Sequence, residues 1–444
     1  MRVVHGLQEA REVLFRRARE PTELPLAARE GIRRVFGADL DVEAVVDRIL
    51  ADVRAQGDAA VVRYNRDIDG VLQPAGASLR VSPSEIEGAY AKADPEVVEA
   101  LRWAAGRIEE FHRRQMDHSL RSFCEEGLGQ MVRPLARVGI YVPGTQVVYP
   151  STVLMTAIPA RVAGVGEVIM ATPALRDGSV SPLKLVAAHI AGVRGVYRAG
   201  GVQGIAALAY GTQSVPRVDK VCGPGNIFVT TAKRRLYGQV GVDGIFGPSE
   251  TLVVADEEAD PSLVAADLLA GAEHDELATA VLITTSERVA AAAKMEVERQ
   301  LDGLARHGVA RAALEAHGGI AVVGSLDQAI ELASEFAPEH LCLHVGDAEA
   351  VRQRVRNAGA IFVGGLSAEA MADYAVGPSH VLPTGGSARF ASALGVHDFL
   401  KVTSIISLGK EAVARIGPPA AAIARAEGFD GHARAIERRL EEES

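Results

Sequence analysis

The sequence is poor in aromatic residues and in long apolar runs, and each shortage excludes a class of protein. Aromatic residues make up 5% of the chain and hydrophobic residues 48%, so alanine, valine, leucine and isoleucine must fill the core, as in helix-covered parallel sheets. No apolar stretch reaches the length of about 18 residues that suggests a membrane-spanning helix. Residues 1–20 are studded with arginine and glutamate and lack the apolar segment of a secretory signal. We therefore expect a cytoplasmic protein.

Cysteine and clustered basic charge are also scarce. Cys124, Cys222 and Cys342 are too few and too scattered for a disulfide framework or a thiolate metal cage, and they fit a reducing compartment. We expect most of them to be buried, small apolar side chains. The formal net charge is -10 with both signs mixed along the chain, and no basic stripe is interleaved with aromatic residues. Nucleic acid and anionic membranes are therefore not expected partners.

The hydrophobic pattern predicts an α/β protein whose 444 residues form two or three units. Up to about residue 130 the chain is predicted to be mostly helical, with amphipathic runs over Val45–Tyr64 and Pro95–Gln115. From Val138, short apolar strands alternate with helices, and a second such series begins after residue 250. Gly417-Pro-Pro419 predicts a break before a last charged helix, Ala420–Glu443.

Glycine-rich turns raise the question of a nucleotide site. Gly200-Gly201-Val-Gln-Gly204 is close to a dinucleotide fingerprint but does not match it, and Gly223-Pro-Gly225 is a tight turn. Such turns before helices let phosphate oxygens approach backbone N–H groups, but they also simply shape loops. On these residues alone, both interpretations stay open.

Paired carboxylates and imidazoles are the features of the chain that carry the most chemistry. The pairs are Glu273-His274, Glu339-His340, Asp373 with His380, and Glu427 with His432. Both side-chain types bind zinc-like ions and exchange protons near neutral pH, so the set suits a metal site with a proton-transfer pair. Taken singly, each has a plainer explanation. His274 and His340 would be surface or capping residues, Asp373 would cap a turn, and Glu427 and His432 would lie on a solvated helix face.

Ordered motifs along the chain resemble those of histidinol dehydrogenases. They are Tyr141-Val-Pro-Gly144, Tyr149-Pro-Ser-Thr-Val-Leu-Met155, Gly200-Gly201-Val-Gln203-Gly-Ile-Ala-Ala-Leu-Ala209, Cys222-Gly-Pro-Gly-Asn226, Gly247-Pro-Ser-Glu250, Ala272-Glu-His274, Ala337-Pro-Glu-His-Leu341, His380-Val-Leu-Pro-Thr384 and Glu427-Gly-Phe-Asp-Gly-His432. The resemblance runs from about residue 30 to residue 435 in order.

This resemblance implies a zinc-dependent, NAD-linked enzyme that oxidises L-histidinol through L-histidinal to L-histidine, a four-electron step of histidine biosynthesis. Glu339 would activate water for the aldehyde, and His340 would accept the alcohol proton. The implied metal ligands are His274, Asp373 and His432, and the implied NAD contacts are Tyr141, Gln203 and Asn226. The implied substrate contacts are Ser249, His274, His340, Asp373, His380, Glu427 and His432.

The resemblance also implies a fold and an assembly. The fold would be two incomplete Rossmann-like parallel-sheet domains with small helical N- and C-terminal segments. We predict an N-terminal helical segment over 1–29, a catalytic α/β domain from 30–137 and 251–388, an NAD-binding α/β domain over 138–250, and a dimerisation segment over 389–444. In the implied homodimer the C-terminal segment crosses over, so Glu427 and His432 would complete the partner's site.

The chain departs from the family pattern at two positions. Where the family has a zinc-binding glutamine three residues before the histidine of Ala-Glu-His, this chain has Gly271, and Phe246 stands where the family usually has a small residue. Water, Glu273 or Asp275 would then fill the vacant ligand position. Restoring glutamine at 271 should tighten zinc and leave stability unchanged or slightly improved, because glycine within a helix costs about 1 kcal/mol.

Because both departures lie by the predicted pocket, other functions stay open. A paralogous dehydrogenase would use the same metal and NAD on another small amino alcohol or on a sulfonated diol. A hypothesis of another class is a metal-dependent hydrolase, which would use Glu339 and His340 on water with the α/β units only as scaffold.

Overall fold

The computed structural model describes residues 1–13, 24, 26–72, 78–144 and 147–441. The strands of these residues are, in chain order, β1 (Arg2–His5), β2 (Phe123–Glu125), β3 (Leu128–Pro134), β4 (Arg137–Tyr141), β5 (Glu167–Thr172), β6 (Gly195–Arg198), β7 (Lys220–Cys222), β8 (Gly241–Val242), β9 (Glu250–Ala255), β10 (Thr279–Thr284), β11 (Gly319–Val322), β12 (His340–His344), β13 (Ala360–Val363) and β14 (Leu400–Ile406).

The helices of the described residues alternate with these strands through most of the chain. They are α1 (Gly6–Val13), α2 (Leu26–Phe36), α3 (Val42–Gln56), α4 (Asp58–Asp67), α5 (Pro83–Tyr90), α6 (Pro95–Asp117), α7 (Pro150–Val162), α8 (Pro182–Ala191), α9 (Gly201–Tyr210), α10 (Ile227–Leu236), α11 (Pro261–Ala272), α12 (Glu287–Leu301), α13 (His307–Ala316), α14 (Leu326–Phe336), α15 (Ala348–Arg352), α16 (Glu369–Tyr374), α17 (Lys410–Ala426) and α18 (Asp430–Glu441). Ser387–Arg389 and Val396–Phe399 are short 3₁₀ turns.

The first of two compact units, 1–117 with 135–399, contains two parallel sheets. The larger sheet has the strand order β1-β11-β10-β9-β12-β13, and the smaller has β6-β5-β4-β7-β8. All their pairings are parallel. The predicted α/β class with two parallel sheets is therefore confirmed.

Apolar strands buried on both faces explain why these sheets form. Every residue of β9 and β10 is buried, and helices cover both faces of the larger sheet. Strands of this kind need a continuous apolar sequence rather than an alternating one. Local signals set the covering helices: α11 begins at Pro261 after Asp260, whose carboxylate accepts the N–H of Ser262.

The second unit, 118–134 with 400–444, joins two distant segments of the chain. Strand β14 pairs antiparallel with β3, which pairs with β2 in a three-stranded sheet. Helices α17 and α18 pack on each other around a small core of alanines at 421, 424 and 433. This antiparallel sheet was not predicted from the sequence.

The structure corrects three expectations about individual elements. Arg2–His5 is an edge strand paired with β11, although 1–29 was expected to be helical. The run Val45–Tyr64 is broken at Gly57, whose φ of 58° ends α3. Helix α17 continues through Pro418 and Pro419, so the predicted break at Gly417-Pro-Pro419 is wrong and the interruption falls at 427–429 instead.

Cysteine burial and membrane propensity were also anticipated from composition. Cys222 and Cys342 are buried as expected, whereas Cys124 is exposed. Among the helices of the described residues, none is long and apolar enough to cross a membrane.

Candidate active site

The predicted catalytic residues lie at the amino-terminal edge of the larger sheet. His340 is the first residue of β12 and pairs in register with Thr251 on β9, while Glu339 and Ser249 lie just before these strands. In open parallel sheets, ligands usually bind beyond the opposite, carboxyl-terminal edge. The proton-transfer pair of this chain therefore belongs to a site at the amino-terminal edge of the larger sheet, where helices such as α11 end.

His340 is a buried, neutral imidazole. Its side chain is 4% exposed, and neither ring nitrogen has a hydrogen-bond partner among the described residues. Burial lowers the pKa of His340 to about 4, although the nearby charge of Asp373 acts in the opposite direction. The plainer reading of His340 as a surface residue is wrong. At neutral pH its ring offers a lone pair, as a proton acceptor requires.

Glu339 is a buried carboxyl group beside that imidazole. Its Oε2 accepts the backbone N–H of Glu250 at 3.0 Å and lies 3.8 Å from Nδ1 of His340. Burial raises the pKa of Glu339 well above its usual value, and neighbouring carboxylates add to the effect. A carboxylate with a raised pKa is a stronger base once ionised.

His274 and Asp373, two of the predicted metal ligands, lie together with Glu369. Ligand atoms of these three side chains all lie within 4.8 Å of one another, and Nε2 of His274 is 3.7 Å from Oδ2 of Asp373. His274 follows the end of α11, and the two carboxylates lie on α16. Burial acts to raise the pKa of Asp373, but the imidazoles of His274, His340 and His380 outweigh it, so the pKa is lowered.

Glu369 was missed by the sequence analysis. It is 1% exposed, and both its carboxylate oxygens lie within reach of the hydroxyl of Thr251, at 2.8 and 3.1 Å. Burial raises the pKa of Glu369 well above its usual value. The signal that would have found it is its spacing of four residues from Asp373, which places both carboxylates on one helix face.

Gly271 is buried where α11 meets β9. A Cβ added to it would lie 2.2 Å from Oγ1 and 2.7 Å from Cβ of Thr251, so a side chain here requires Thr251 to move. The expectation that a glutamine at 271 would leave stability unchanged or improved is therefore wrong. Of the two carboxylates suggested as replacement ligands, Asp275 accepts the N–H of Leu277, and neither it nor Glu273 belongs to the cluster.

His380 is oriented by two hydrogen bonds. Its Nδ1 donates to the backbone carbonyl of Asp373 at 2.8 Å, and its Nε2 accepts the hydroxyl of Thr152 at 3.1 Å. Burial lowers the pKa of His380. His380 is thereby held by the backbone of Asp373, a predicted metal ligand. Ser249 is half-buried just before β9, and its carbonyl accepts the N–H of Thr279.

The predicted NAD contacts gather at the carboxyl-terminal edge of the smaller sheet. Tyr141 ends the central strand β4, Gln203 lies in the first turn of α9, and Asn226 caps α10 by accepting the N–H of Val229. The hydroxyl of Tyr141 accepts the N–H of Gly201 at 2.9 Å. The chain reverses its direction of strand addition between β4 and β7, and such a switch point is where parallel sheets bind nucleotides.

Three buried charged residues, which the sequence analysis missed, form hydrogen bonds and an ion pair near this edge of the smaller sheet. Lys184 donates to the carbonyls of Pro143 and Gly144, and burial lowers its pKa to about 8. Lys233 and Asp243 form an ion pair of 2.6 Å with side chains 2% and 1% exposed. The sequence could not predict that these charged side chains are buried, because their burial depends on contacts with residues far away in the chain.

The Lys233–Asp243 pair holds the Gly223 turn before α10. Lys233 donates to the carbonyl of Gly223, and Asp243 accepts the N–H of Gly223 at 2.6 Å. A Cβ at Gly223 would lie 2.1 Å from the carbonyl oxygen of Tyr141. The glycine is therefore required for the loop to pack directly against the end of β4.

Phe246 lines a cavity of about 630 Å³ beside the site. The cavity is bordered by Glu250, whose N–H binds Glu339, and by Thr384, whose hydroxyl accepts the N–H of Gly247 at 2.5 Å. Gly271 does not line it. Of the two departures from the family pattern, Phe246 thus shapes a cavity, whereas Gly271 shapes the contact of α11 with β9.

Glu427 and His432 belong to the second unit, whereas the other predicted site residues belong to the first. Glu427 is the C-cap of α17, His432 lies in the first turn of α18, and both are exposed. The ring of His432 stacks on Phe429 at a centroid distance of 5.0 Å. The fold of the first unit brings together His274, Glu339, His340, Asp373 and His380 without them.

Comparison with known proteins gives one consistent family. Residues 33–440 match the family model described as histidinol dehydrogenase. The histidinol dehydrogenase of Moorella thermoacetica is 51% identical over 94% of this chain and 100% of its own length, and that of Deinococcus radiodurans is 47% identical over 99% and 100%. The crystal structure of histidinol dehydrogenase from Elizabethkingia anophelis superposes with a TM-score of 0.90 at 33% identity, covering 100% of this chain and 98% of that one. The chain therefore belongs to the histidinol dehydrogenase family and is an oxidoreductase.

Proposed function

We propose that the protein oxidises L-histidinol through L-histidinal to L-histidine, with NAD as the hydride acceptor and zinc at the site. The observation that carries the proposal is the buried Glu339-His340 pair beside the cluster of His274, Glu369 and Asp373. An oxidation of this kind needs a base for the alcohol proton, a base for water and a means of holding the substrate. The site offers all three functions within one part of the fold.

The donor set suits zinc. Imidazole and carboxylate are common zinc ligands, and the ligand atoms of this cluster are close enough to bind one ion. Buried carboxylates also need a compensating positive charge. His274 and Asp373 would hold the metal, with His432 as a further ligand. When bound, zinc supplies a Lewis acid that orients and polarises the substrate hydroxyl.

The first oxidation removes a hydride and a proton from the alcohol. His340 accepts the hydroxyl proton as hydride leaves the carbon for NAD, which yields the aldehyde and NADH. The ring is suited to this step because it is neutral at physiological pH and its nitrogens have no partner among the described residues.

The second oxidation begins with water. Glu339 takes a proton from water as its oxygen adds to the aldehyde carbon, which leaves the conjugate base of the hydrate. A second hydride would then pass from this carbon to another NAD to give the carboxylic acid, which releases its proton to solvent as the carboxylate. Glu339 is kept in place for this step by the N–H of Glu250.

The cofactor would bind at the carboxyl-terminal edge of the smaller sheet. Tyr141 and Asn226 flank the switch point between β4 and β7, and the N-termini of α9 and α10 present backbone N–H groups there. The amide of Gln203 is held by Asp69 and Asn65, at 2.9 and 3.3 Å. These features account for a dinucleotide site without an orthodox glycine fingerprint.

A homodimer would complete the site. Glu427 and His432 are exposed in the second unit, which also exposes apolar side chains that a partner subunit would cover. These exposed side chains are Leu120, Phe123, Leu128, Val402, Ile406, Leu408, Ile416, Ile423 and Phe429. We propose that Glu427 contacts the substrate and His432 the metal in the partner's site, while Ser249 and His380 contact the substrate from the first unit.

The test is to incubate the zinc-loaded protein with NAD and L-histidinol and to follow NADH by its absorbance. The proposal expects two NADH for each L-histidinol consumed and L-histidine as the product identified by chromatography. A panel of other small amino alcohols and a sulfonated diol tests the alternative that Phe246 in the cavity favours. Turnover of one of these with none of L-histidinol would overturn the proposed substrate.

A further inference from the structure

Helix α11 contacts strand β9 at Gly271, the position where the family has a zinc-binding glutamine. Gly271 allows the helix to approach the strand so closely that Oγ1 of Thr251 lies 2.2 Å from where a Cβ would stand. The space next to the backbone at position 271 is thus taken by the hydroxyl of Thr251. The absence of a side chain at position 271 therefore allows Thr251 to occupy its observed position.

Thr251 in turn orients Glu369. Its hydroxyl lies 2.8 Å from one carboxylate oxygen of Glu369 and 3.1 Å from the other, and both residues are 1% exposed. A hydroxyl donates only one hydrogen, so each carboxylate oxygen keeps a free lone pair. The carboxylate is held in place without losing its ability to bind a metal.

Helix α16 brings Glu369 to the predicted ligands. Glu369 and Asp373 are four residues apart on this helix, and their oxygens lie with the imidazole of His274 within 4.8 Å of one another. Within the described residues, no lysine or arginine forms an ion pair with Glu369, and the imidazole of His340, whose Nδ1 lies 3.6 Å away, is neutral. A buried carboxylate in this setting calls for a compensating cation.

We propose that Glu369 is a metal ligand of this chain, in place of the glutamine that the family has at the position of Gly271, and that Thr251 is its positioning residue. The inference rests on the proposed function, because it takes zinc as the metal of the site. It replaces a neutral amide with a carboxylate, so the first unit contributes one imidazole and two carboxylates. The resulting set carries more negative charge than the family's.

The test measures zinc affinity by competition with a chromophoric chelator on the full-length protein. The main variant combines Glu369→Leu with Thr251→Val, which removes the ligand and its hydrogen-bond partner together and leaves no unpaired group. Thr251→Val alone is the matched control, and Asp373→Ala is the reference for the predicted site. A second control, Asp267→Asn, alters a buried carboxylate on α11 that accepts from His344 at 2.8 Å and lies outside the cluster.

Loss of an outer-shell partner typically weakens metal binding by about 10- to 100-fold, so the double variant should weaken zinc by about 100-fold or more and Thr251→Val by less. Asp267→Asn should leave zinc affinity unchanged. If Asp373→Ala weakens zinc and the double variant does not exceed Thr251→Val, the inference is overturned while the proposed zinc site stands. If neither weakens zinc, the zinc part of the proposed function falls as well.

The visible spectrum of the cobalt-substituted protein separates a ligand from a neighbour. A ligand change alters the coordination of the ion, so Glu369→Gln should change the band positions or intensities, whereas Thr251→Ser should not. Thr251→Ser keeps the hydroxyl that binds Glu369, and Glu369→Gln keeps the size of its side chain, so both variants should fold. An unchanged cobalt spectrum in Glu369→Gln would assign the carboxylate to the surroundings of the metal and overturn the proposal.

Discussion

His340 illustrates how burial prepares one residue for proton transfer. Its ring is enclosed, uncharged at neutral pH and without a hydrogen-bond partner among the described residues, an arrangement that costs stability and therefore points to a functional role. The neighbouring carboxylates of Glu339 and Glu369 lie 3.8 and 3.6 Å from its Nδ1. They are close enough to stabilise the ring once it has accepted a proton.

We predict that His340→Asn slows alcohol oxidation by about 10²- to 10⁴-fold, the usual contribution of a positioned general base. NAD binding should be unchanged, because the predicted cofactor contacts lie on the smaller sheet. The measurements are steady-state turnover and NAD titration by fluorescence. Full turnover in the variant would remove His340 from the mechanism.

Asp69 is a second residue whose environment the local sequence does not reveal. It accepts Nε2 of Gln203, and its carboxylate lies against Gly200, before α9. Burial raises its pKa to about 6, although the hydrogen bond from Gln203 acts to lower it. Because the folded pKa exceeds the unfolded one, the contribution of Asp69 to stability is full at low pH and is lost as pH rises through about 6.

We therefore predict that Asp69→Asn stabilises the protein at pH 7.5 by about 3 kcal/mol, because the variant no longer buries a charge there. Near pH 4 the two proteins should differ little, since Asp69 is then protonated in the folded state. Urea unfolding at several pH values measures the difference. A difference that does not change with pH would contradict the assigned pKa.

At the scale of elements, the contact between α11 and β9 decides what position 271 tolerates. Helix propensity favours alanine over glycine by about 1 kcal/mol, but this gain assumes open space around the new Cβ. Gly271 has no such space, whereas Gly106 on α6 has no atom within 4 Å of its added Cβ. The two helical glycines form a matched pair.

We predict that Gly271→Ala destabilises the protein by about 1–3 kcal/mol, the usual cost of overpacking, because Thr251 must move. Gly106→Ala should stabilise it by up to about 1 kcal/mol. Both effects are read from urea unfolding of the apo protein. Equal gains in the two variants would show that α11 is not held against β9 at this point.

At the scale of the whole molecule, the proposed homodimer, in which Glu427 and His432 complete the partner's site, predicts shared active sites. Mixing the inactive variants His340→Asn and His432→Ala should restore activity, because one site in each mixed dimer would then contain both intact residues. For random exchange, half of the dimers are mixed and each has one intact site, so about a quarter of the normal activity is expected.

Subunit exchange must be verified, for example with differently tagged chains recovered together. The matched control mixes His340→Asn with Asp373→Ala, whose residues both lie in the first unit and should not complement. No recovery in exchanged mixtures of His340→Asn and His432→Ala would place the whole site within one chain.

The sequence by itself determined most of the secondary structure of the parallel sheets. Strands alternate with helices from residue 138 and again after residue 250, as predicted, because caps such as Asp260 before Pro261, continuous apolar strands and flanking turns act through neighbouring residues. It also determined the family, because the ordered motifs survive in the chain regardless of how they pack. Interactions between neighbouring residues and the order of the motifs can both be recognised from the sequence alone.

Only the tertiary structure decided which residues meet. Arg2–His5 is a strand because β11 offers an edge, and α17 passes through Pro418 and Pro419 although proline disfavours a helix interior. Glu369 lies beside His274 because helices α16 and α11 pack together, and Gly271 leaves room for Thr251 where α11 meets β9. These outcomes depend on contacts between residues far apart in the chain, and the burial that shifts the pKa of His340 or Asp69 arises only when those contacts form.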